Sequence, residues 1–460
     1  MSSIAHRCLC PADTMLDHLS ASAIGTVLTP ARLDAALAIV SRRHQVRHRK
    51  LPLRFMLLFC VLMHLYADEA LPAVFTHVAG RWAGATTRLL VSAGALCQAR
   101  YRLGVRPLAA LFHLVCRPLA TAQTPGAFLF GRRLYALDST KLDVPDSAAN
   151  VAAFGRHRAR RGTSAWPQVR LVLLAECGTH ALCDAGIWPC NVDEGRAGRR
   201  LLRRVEPGAL VLWDRGLHSV AMMEATTQRQ ADFLGRLPAS VRPLPLQDLG
   251  DGTRLVALRP GGMRRRRRGD HVVARLIRYT LNDPRRPGHR LEHRLVTSLL
   301  EPAAAPAHEL IRAYHLRWEI ELVVDELKTH QRPSRPFRSQ RPVGVLQEIY
   351  GLLIAHYLLR ALAVTAAHSA QVAPTRISFA ASLRLLRDHL IRIMWHKAPC
   401  RRFARQLIAT LGAWLLPSRT ERLNPRVVKR KMTNFRVKTA AHRPWPQPSK
   451  PFAQAIVLLI

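Results

Sequence analysis

Three carboxylates in this chain have the types and settings that metal-assisted phosphate chemistry requires. Asp138 stands at the end of the apolar run Arg133–Ser139, in the segment LYALDSTKLDVPD. Asp214 follows a second apolar run, Ala209–Trp213, in LVLWDRG, and Glu321 lies in the helical segment YHLRWEIELVVDELK. An acid at a strand end projects into a cavity while the sheet holds it rigid. Carboxylates that converge repel one another unless cations sit between them. Mg²⁺, with Mn²⁺ as an alternative, suits such hard oxygen ligands and completes its shell with phosphate oxygens. Two such ions activate a water or a 3′-hydroxyl and stabilise the leaving oxygen. The chemistry expected of Asp138, Asp214 and Glu321 is therefore phosphodiester cleavage and transfer.

The elements that must position these acids are legible from periodicity. Residues 29–122 follow a helical pattern that opens on Thr29-Pro30, an N-cap followed by Pro at the first helical position. Strands are expected at Arg133–Ser139, Val169–Glu176, Ala181–Ile187, Ala209–Trp213 and Asp232–Arg236, with helices at Glu194–Arg204 and Ser219–Gln230. That order implies a mixed sheet with helices packed on it. Residues 237–304 carry many Pro and Gly and short alternating runs, and read as a β-rich insertion. A helix is expected from Ala307 past Lys328. Around its axis Tyr314, Arg317, Glu321 and Lys328 share one polar stripe, opposite Leu316, Ile320, Val323, Val324 and Leu327. Taken alone, that stripe also fits an ordinary amphipathic helix. Glu319, Asp325 and Glu326 read as acids of the helix surface.

Composition points to a polyanionic partner. Seventy Lys and Arg face thirty Asp and Glu, a formal net charge of +40 spread along 460 residues. Double-stranded DNA suits such a chain. Arg264, Arg265, Arg266, Arg267 and Arg268 form a run too charged for a core strand, so a hairpin tip or loop is expected. It reads as a DNA-backbone contact, with a solvated loop as the plainer alternative. The nine cysteines include no CxxC pair and read as reduced thiols of a cytoplasmic, nucleoid-associated protein. Cys177, Cys183, Cys190 and His180 match no standard metal spacing. Phe55–Tyr66 is too short to cross a bilayer and reads as a buried helix, and no membrane partner is expected.

Tyr314, Arg317, Glu321 and Lys328 also fit the pattern Y-x2-R-x3-E-x6-K. In this the chain resembles the insertion element 4 family of DDE transposases. LDSTKLDVPD, NVAAFGR, PQVRLVLLAECGTHALCDA, LVLWDRG and RPVGVLQEIYGLLIAHYLLRAL are similar to family segments, and the stretch from LTPARLDAALA to about His77 resembles its helical N-terminal domain. The resemblance implies an α/β, RNase H-like mixed-sheet core with a helical N-terminal domain and a β-rich insertion before the catalytic Glu. The implied division is 1–125 helical DNA-binding domain, 126–236 first part of the core, 237–304 insertion, 305–370 second part of the core and 371–460 basic C-terminal region. It implies that Asp138, Asp214 and Glu321 are the catalytic triad. Tyr314, Arg317 and Lys328 match positions that hold the transposon end. The implied activity is two-metal strand cleavage and strand transfer at inverted-repeat ends, by a homodimer on DNA. A metal-dependent nuclease of the same fold, or a decayed DNA-binding protein, are the alternative readings. Ser139 and Leu217 replace a Gly and an aromatic that are common in the family. Only Phe233 and Tyr279 could supply the aromatic on which a flipped base stacks in members that cut through a DNA hairpin.

Overall fold

In the computed structural model, the described residues are 24–40, 51–80, 91–159, 162–260, 270–286, 288–332, 336–396, 401–417 and 448–459, with short pieces at 427–428, 436–437 and 439. Arg264–Arg268, the basic stretch 41–50 and most of the basic residues between 418 and 447 lie outside them. The chain forms two compact units. One comprises Met1–Ala127, Asp138–Arg204 and Glu319–Leu416; the other comprises Phe128–Leu137, Val205–Trp318 and Pro417–Ile460.

The first unit is mostly helical. Its helices begin as the local chemistry dictates: Thr29 caps Pro30–Leu37 by accepting from the Arg32 N–H, and Ser92 caps Ala93–Leu103 by accepting from that of Ala95. Leu53–Leu62 is buried almost throughout, which agrees with its unbroken apolar sequence. It packs on the central helix Pro342–Ser369, as do Arg106–Val115, Phe379–Trp395 and Arg401–Ala413. Pro342–Ser369 is long and apolar enough to cross a membrane, but 78% of its most apolar stretch is buried inside the protein. It also carries buried Gln347, Glu348, His356 and Arg360. It is a core helix.

The strands are β1 (Arg132–Asp143), β2 (Gln168–Glu176), β3 (Leu182–Pro189), β4 (Leu210–Trp213) and β5 (Asp232–Arg236). In the first unit the antiparallel pair β2–β3 neighbours β1, in the order β3-β2-β1. In the second unit the other half of β1 runs parallel to β4, and β4 parallel to β5. This is the strand plan of an RNase H-like sheet. Leu134–Leu137 and Leu210–Trp213 are wholly buried, as a parallel ladder covered on both faces requires.

The insertion supplies β6 (Leu244–Asp248), β7 (Thr253–Leu258), β8 (Val272–Leu281) and β9 (His293–Thr297). These antiparallel strands continue the second unit's sheet outward from β5, in the order β5-β9-β8-β7-β6. Leu258 pairs with Val272 in the β7–β8 hairpin.

The helix expected from Ala307 is not continuous. It is α-helical over Ala307–His315, tightens to a 3₁₀ turn at Leu316–Trp318, resumes over Glu319–Asp325 and widens to a π turn at Glu326–His330.

Candidate active site

The parallel β1–β4 ladder ends on the pair Leu137–Trp213, and the next residue on each strand is an aspartate. Asp138 is half-buried, and its Oδ1 accepts the Ser139 N–H at 2.7 Å. The hydroxyl of Ser139 donates to Glu194 Oε1 at 2.8 Å, and Arg170 donates to Ser139 Oγ at 3.2 Å while pairing with Glu194. The serine that replaces a common glycine is thus tied into an ion pair beside Asp138. Asp214 caps the 3₁₀ turn Arg215–Leu217, its Oδ1 accepting the Gly216 N–H at 2.8 Å. Leu217, the last residue of that turn, is buried.

The signature residues divide between the two units. In the second unit Tyr314 and Arg317 are both buried rather than lining an open polar stripe. Burial, reinforced by the charge of Asp214, raises the Tyr314 hydroxyl above the usual tyrosine value, while Arg317 and Arg236 pull it back. Asp214, Tyr314 and Arg317 therefore share one electrostatic neighbourhood. The Arg317 guanidinium lies 5.8 Å from the Tyr314 ring centre and 5.5 Å from that of Trp318. In the first unit Lys328 is half-buried. Burial lowers its ammonium below the usual lysine value, Arg332 lowers it further, and Asp143 and Asp138 oppose the shift. Asp138 and Lys328 thus feel one another within the first unit, which also holds Glu321, half-buried in the short Glu319–Asp325 helix.

Among the described residues no group of three or more His, Cys, Asp or Glu side chains is arranged to hold a metal ion. Carboxylates such as Asp138, Asp214 and Glu321 are by their chemistry ligands for a hard divalent cation and not a soft one. Cys177, Cys183 and Cys190 are buried, and His180 is engaged elsewhere. Phe233 and Tyr279, the available aromatics of the insertion, are both buried; Phe233 stacks on Trp213 and Tyr279 on His293.

The expectation that Glu326 lies on the helix surface is wrong. Its side chain is buried in the first unit, with Oε2 2.9 Å from His356 Nε2 and 2.9 Å from Arg360 Nε, and Oε1 bonded to Arg360 Nη2 and 3.0 Å from His180 Nδ1. His180 Nε2 meets Glu319 Oε2. Burial, with the charge of His180 beside it, pushes the His356 imidazole down to about 3. His356 is therefore neutral and donates to Glu326 through Nε2. The partners of Glu326 lie 146, 30 and 34 residues away in sequence, so no local pattern reports them. The one available signal is that His356 and Arg360 are four apart on an otherwise apolar helix, which puts both on one face.

The family profile described as Transposase DDE domain matches residues 129–358, and that described as Insertion element 4 transposase N-terminal matches residues 18–113. The transposase InsG for insertion sequence element IS4 of Escherichia coli is 29% identical over 438 residues, covering 94% of each chain. The putative transposase InsZ of the same organism is 27% identical over 157 residues, covering 33% of this chain and 50% of its own. A chain of the piggyBac transposase synaptic complex with hairpin DNA superposes with a TM-score of 0.44 at 12% identity, over 85% of this chain and 84% of its own.

Proposed function

Because the chain belongs to the insertion element 4 family of DDE transposases, enzymes that cleave DNA and transfer its strands with the help of divalent metal, we propose that Asp138, Asp214 and Glu321 are its catalytic carboxylates. The chain is a DNA transposase and DNA is its partner. The observation that carries the residue assignment is the end of the parallel ladder, where Leu137 pairs with Trp213 and an aspartate follows on each strand. Carboxylates gathered at one point repel one another, and a bound cation relieves that repulsion. Asp138, Asp214 and Glu321 would hold Mg²⁺, which when bound supplies Lewis-acid stabilisation of the phosphate and a more acidic water or 3′-hydroxyl.

The protein's own residues supply position and charge. The backbone N–H groups of Ser139 and Gly216 each hold one carboxylate oxygen of Asp138 and Asp214, which orients the other oxygen of each. Lys328, Arg317 and Tyr314 bind the phosphates of the element's end: Lys328 from beside Asp138, Arg317 and Tyr314 from beside Asp214. Arg264–Arg268 add contacts to the DNA backbone. On the same reading the chain divides into a helical DNA-binding domain (1–125), a catalytic core in two parts (126–236 and 305–370) around the insertion (237–304), and a basic C-terminal region (371–460). Two ends must be brought together for transfer, so the working form is a homodimer on paired inverted repeats, acting at the nucleoid in the cytoplasm.

The test is a cleavage assay on duplex DNA bearing the element's own terminal repeats. Asp138→Asn, Asp214→Asn and Glu321→Gln are each expected to abolish cleavage and retain DNA binding, and chelation of divalent ions is expected to do the same to the unaltered chain. A variant that cuts at the normal rate removes that residue from the triad.

A further inference from the structure

The helix that carries Glu321 is short. It is seven residues long, entered through a 3₁₀ turn and left through a π turn. Isolated helices of that length do not persist in water. Its apolar side, Ile320 and Val323, is buried, but apolar packing tolerates small rotations and slides. Glu319 and Glu326 of the same segment make directional contacts to distant parts of the unit. Glu319 and Glu326 are seven apart, about two turns, and so lie on one side of the segment. His180 reaches both, through Nε2 to Glu319 and Nδ1 to Glu326.

We infer that His180, Glu319, Glu326 and Arg360 form a two-point clamp that fixes the rotation of the Glu321 segment. All four are positioning residues, and they rest on the assignment of Glu321 given above. His180 is wholly buried and holds a left-handed backbone conformation, φ +61°, at the turn between β2 and β3. A non-glycine residue adopts that conformation at a cost, and keeps it where the surroundings impose it. The turn aims the ring between the two carboxylates. Because each ring nitrogen faces a carboxylate oxygen, the ring serves both only by donating through both. Charge then balances: the two carboxylates meet the imidazolium of His180 and the guanidinium of Arg360, with neutral His356 completing the shell of Glu326. A balanced, hydrogen-bonded cluster is the form in which charges are tolerated in a core. One end of the clamp is rooted in the β2–β3 hairpin and the other in Pro342–Ser369, so Glu321 is fixed from both sides of its segment.

The experiment uses the full chain carrying Glu319→Gln, with Glu326→Gln and Glu321→Gln in parallel. Each protein is measured for binding to a duplex element end, for single-turnover cleavage of that end, and for amide hydrogen exchange. Glu319 is the milder site, since its side chain keeps 19% exposure. Glu319→Gln is expected to leave end binding unchanged and to slow cleavage about a hundredfold, the size of effect that a displacement near 1 Å produces. Exchange over 319–325 should quicken about tenfold without change in β2 and β3. Normal cleavage and normal exchange in Glu319→Gln overturn the clamp, as does exchange that quickens equally through the β2–β3 hairpin, which marks a general loss of stability. Should Glu326→Gln fail to fold, Glu319→Gln alone decides between these outcomes. If Glu321→Gln itself cleaves normally, the assignment of Glu321 has failed; if it is inactive while Glu319→Gln and Glu326→Gln cleave normally, the clamp has failed.

Discussion

The strands that bear the two aspartates and the helix that bears the glutamate are held by different forces. Asp138 and Asp214 stand at the ends of wholly buried four-residue stretches locked by a backbone ladder, and each accepts a backbone N–H within two residues of itself. Glu321 stands on a single short helix between two irregular turns, braced by side-chain charges drawn from a hairpin and from another helix. A backbone ladder is indifferent to which apolar side chains fill it, within limits of volume. A charge cluster depends on every member. The placing of the aspartates should therefore respond to changes of shape in the residues around them, and that of the glutamate to changes of charge.

The largest effect should come from Arg360→Met. It leaves the buried Glu326 carboxylate without its guanidinium, a change that costs about 3–5 kcal/mol, and chemical denaturation should read that loss directly. Replacing the pair together, Arg360→Met with Glu326→Leu, should recover most of the stability, since no orphaned charge remains. It should not recover cleavage, because the segment loses one of its two anchor points. A loss from Arg360→Met no greater than that of a surface salt bridge would erase the contrast between the two regions.

The same contrast explains what was legible in the sequence. Leu134–Leu137 and Leu210–Trp213 announce themselves because a parallel strand buried on both faces is an unbroken apolar run, and the acid that follows marks where the ladder stops. The helical N-terminal region is legible from Thr29-Pro30 and from periodicity. The continuation of β1 to Asp143 is not, because Thr140 and Lys141 carry no apolar signal and are held by their place beside β2. Nor is Leu244–Asp248, whose residues are all exposed and include Pro245, so its place beside β7 comes from pairing rather than pattern. The 3₁₀ and π turns leave the 3.6-residue period nearly intact on paper, so the segment from Ala307 to Lys328 reads as one helix. Its wheel puts Tyr314 and Arg317 on an open stripe, and the structure buries both. Glu326 fails for a plainer reason: a lone acid on a charged helix reads as solvated until residues from distant parts of the chain are brought to it.

Shape, and not charge, should govern the strand side. Gly235 pairs with Trp213 across β4 and β5. A methyl group built on Gly235 would overlap the Trp213 indole, with Cδ1 2.9 Å away. Trp213 is wholly buried and stacked on Phe233, ring centres 5.4 Å apart, so it has nowhere to turn. Gly235→Ala should therefore cost about 1–3 kcal/mol, the range for overpacked cores, and cleavage should fall because the displaced indole belongs to the residue before Asp214. A variant as stable and as active as the parent would mean that the end of β4 yields easily, and that Asp214 is not rigidly held.

The smallest effect concerns Lys328, the residue that joins the two regions. It sits in the π turn of the glutamate segment, yet the carboxylates that act on it, Asp143 and Asp138, belong to β1. Two roles are open to such a cation, and they separate in one experiment. As a phosphate ligand it contributes one counterion-releasing contact, so Lys328→Met should lower the salt dependence of end binding by about 1 in the log–log slope. Cleavage at saturating DNA would then be unchanged. As a cation that holds the Asp138 carboxylate in place, its loss would leave the salt slope unchanged and slow cleavage at saturating DNA. The first outcome is expected. Arg332, four residues on, already lowers the Lys328 ammonium, and a half-buried cation with a second cation near it gains more from an arriving phosphate than from the carboxylates that face it. The second outcome would give the strand side a further side-chain support, and the two regions would differ less than their backbones suggest.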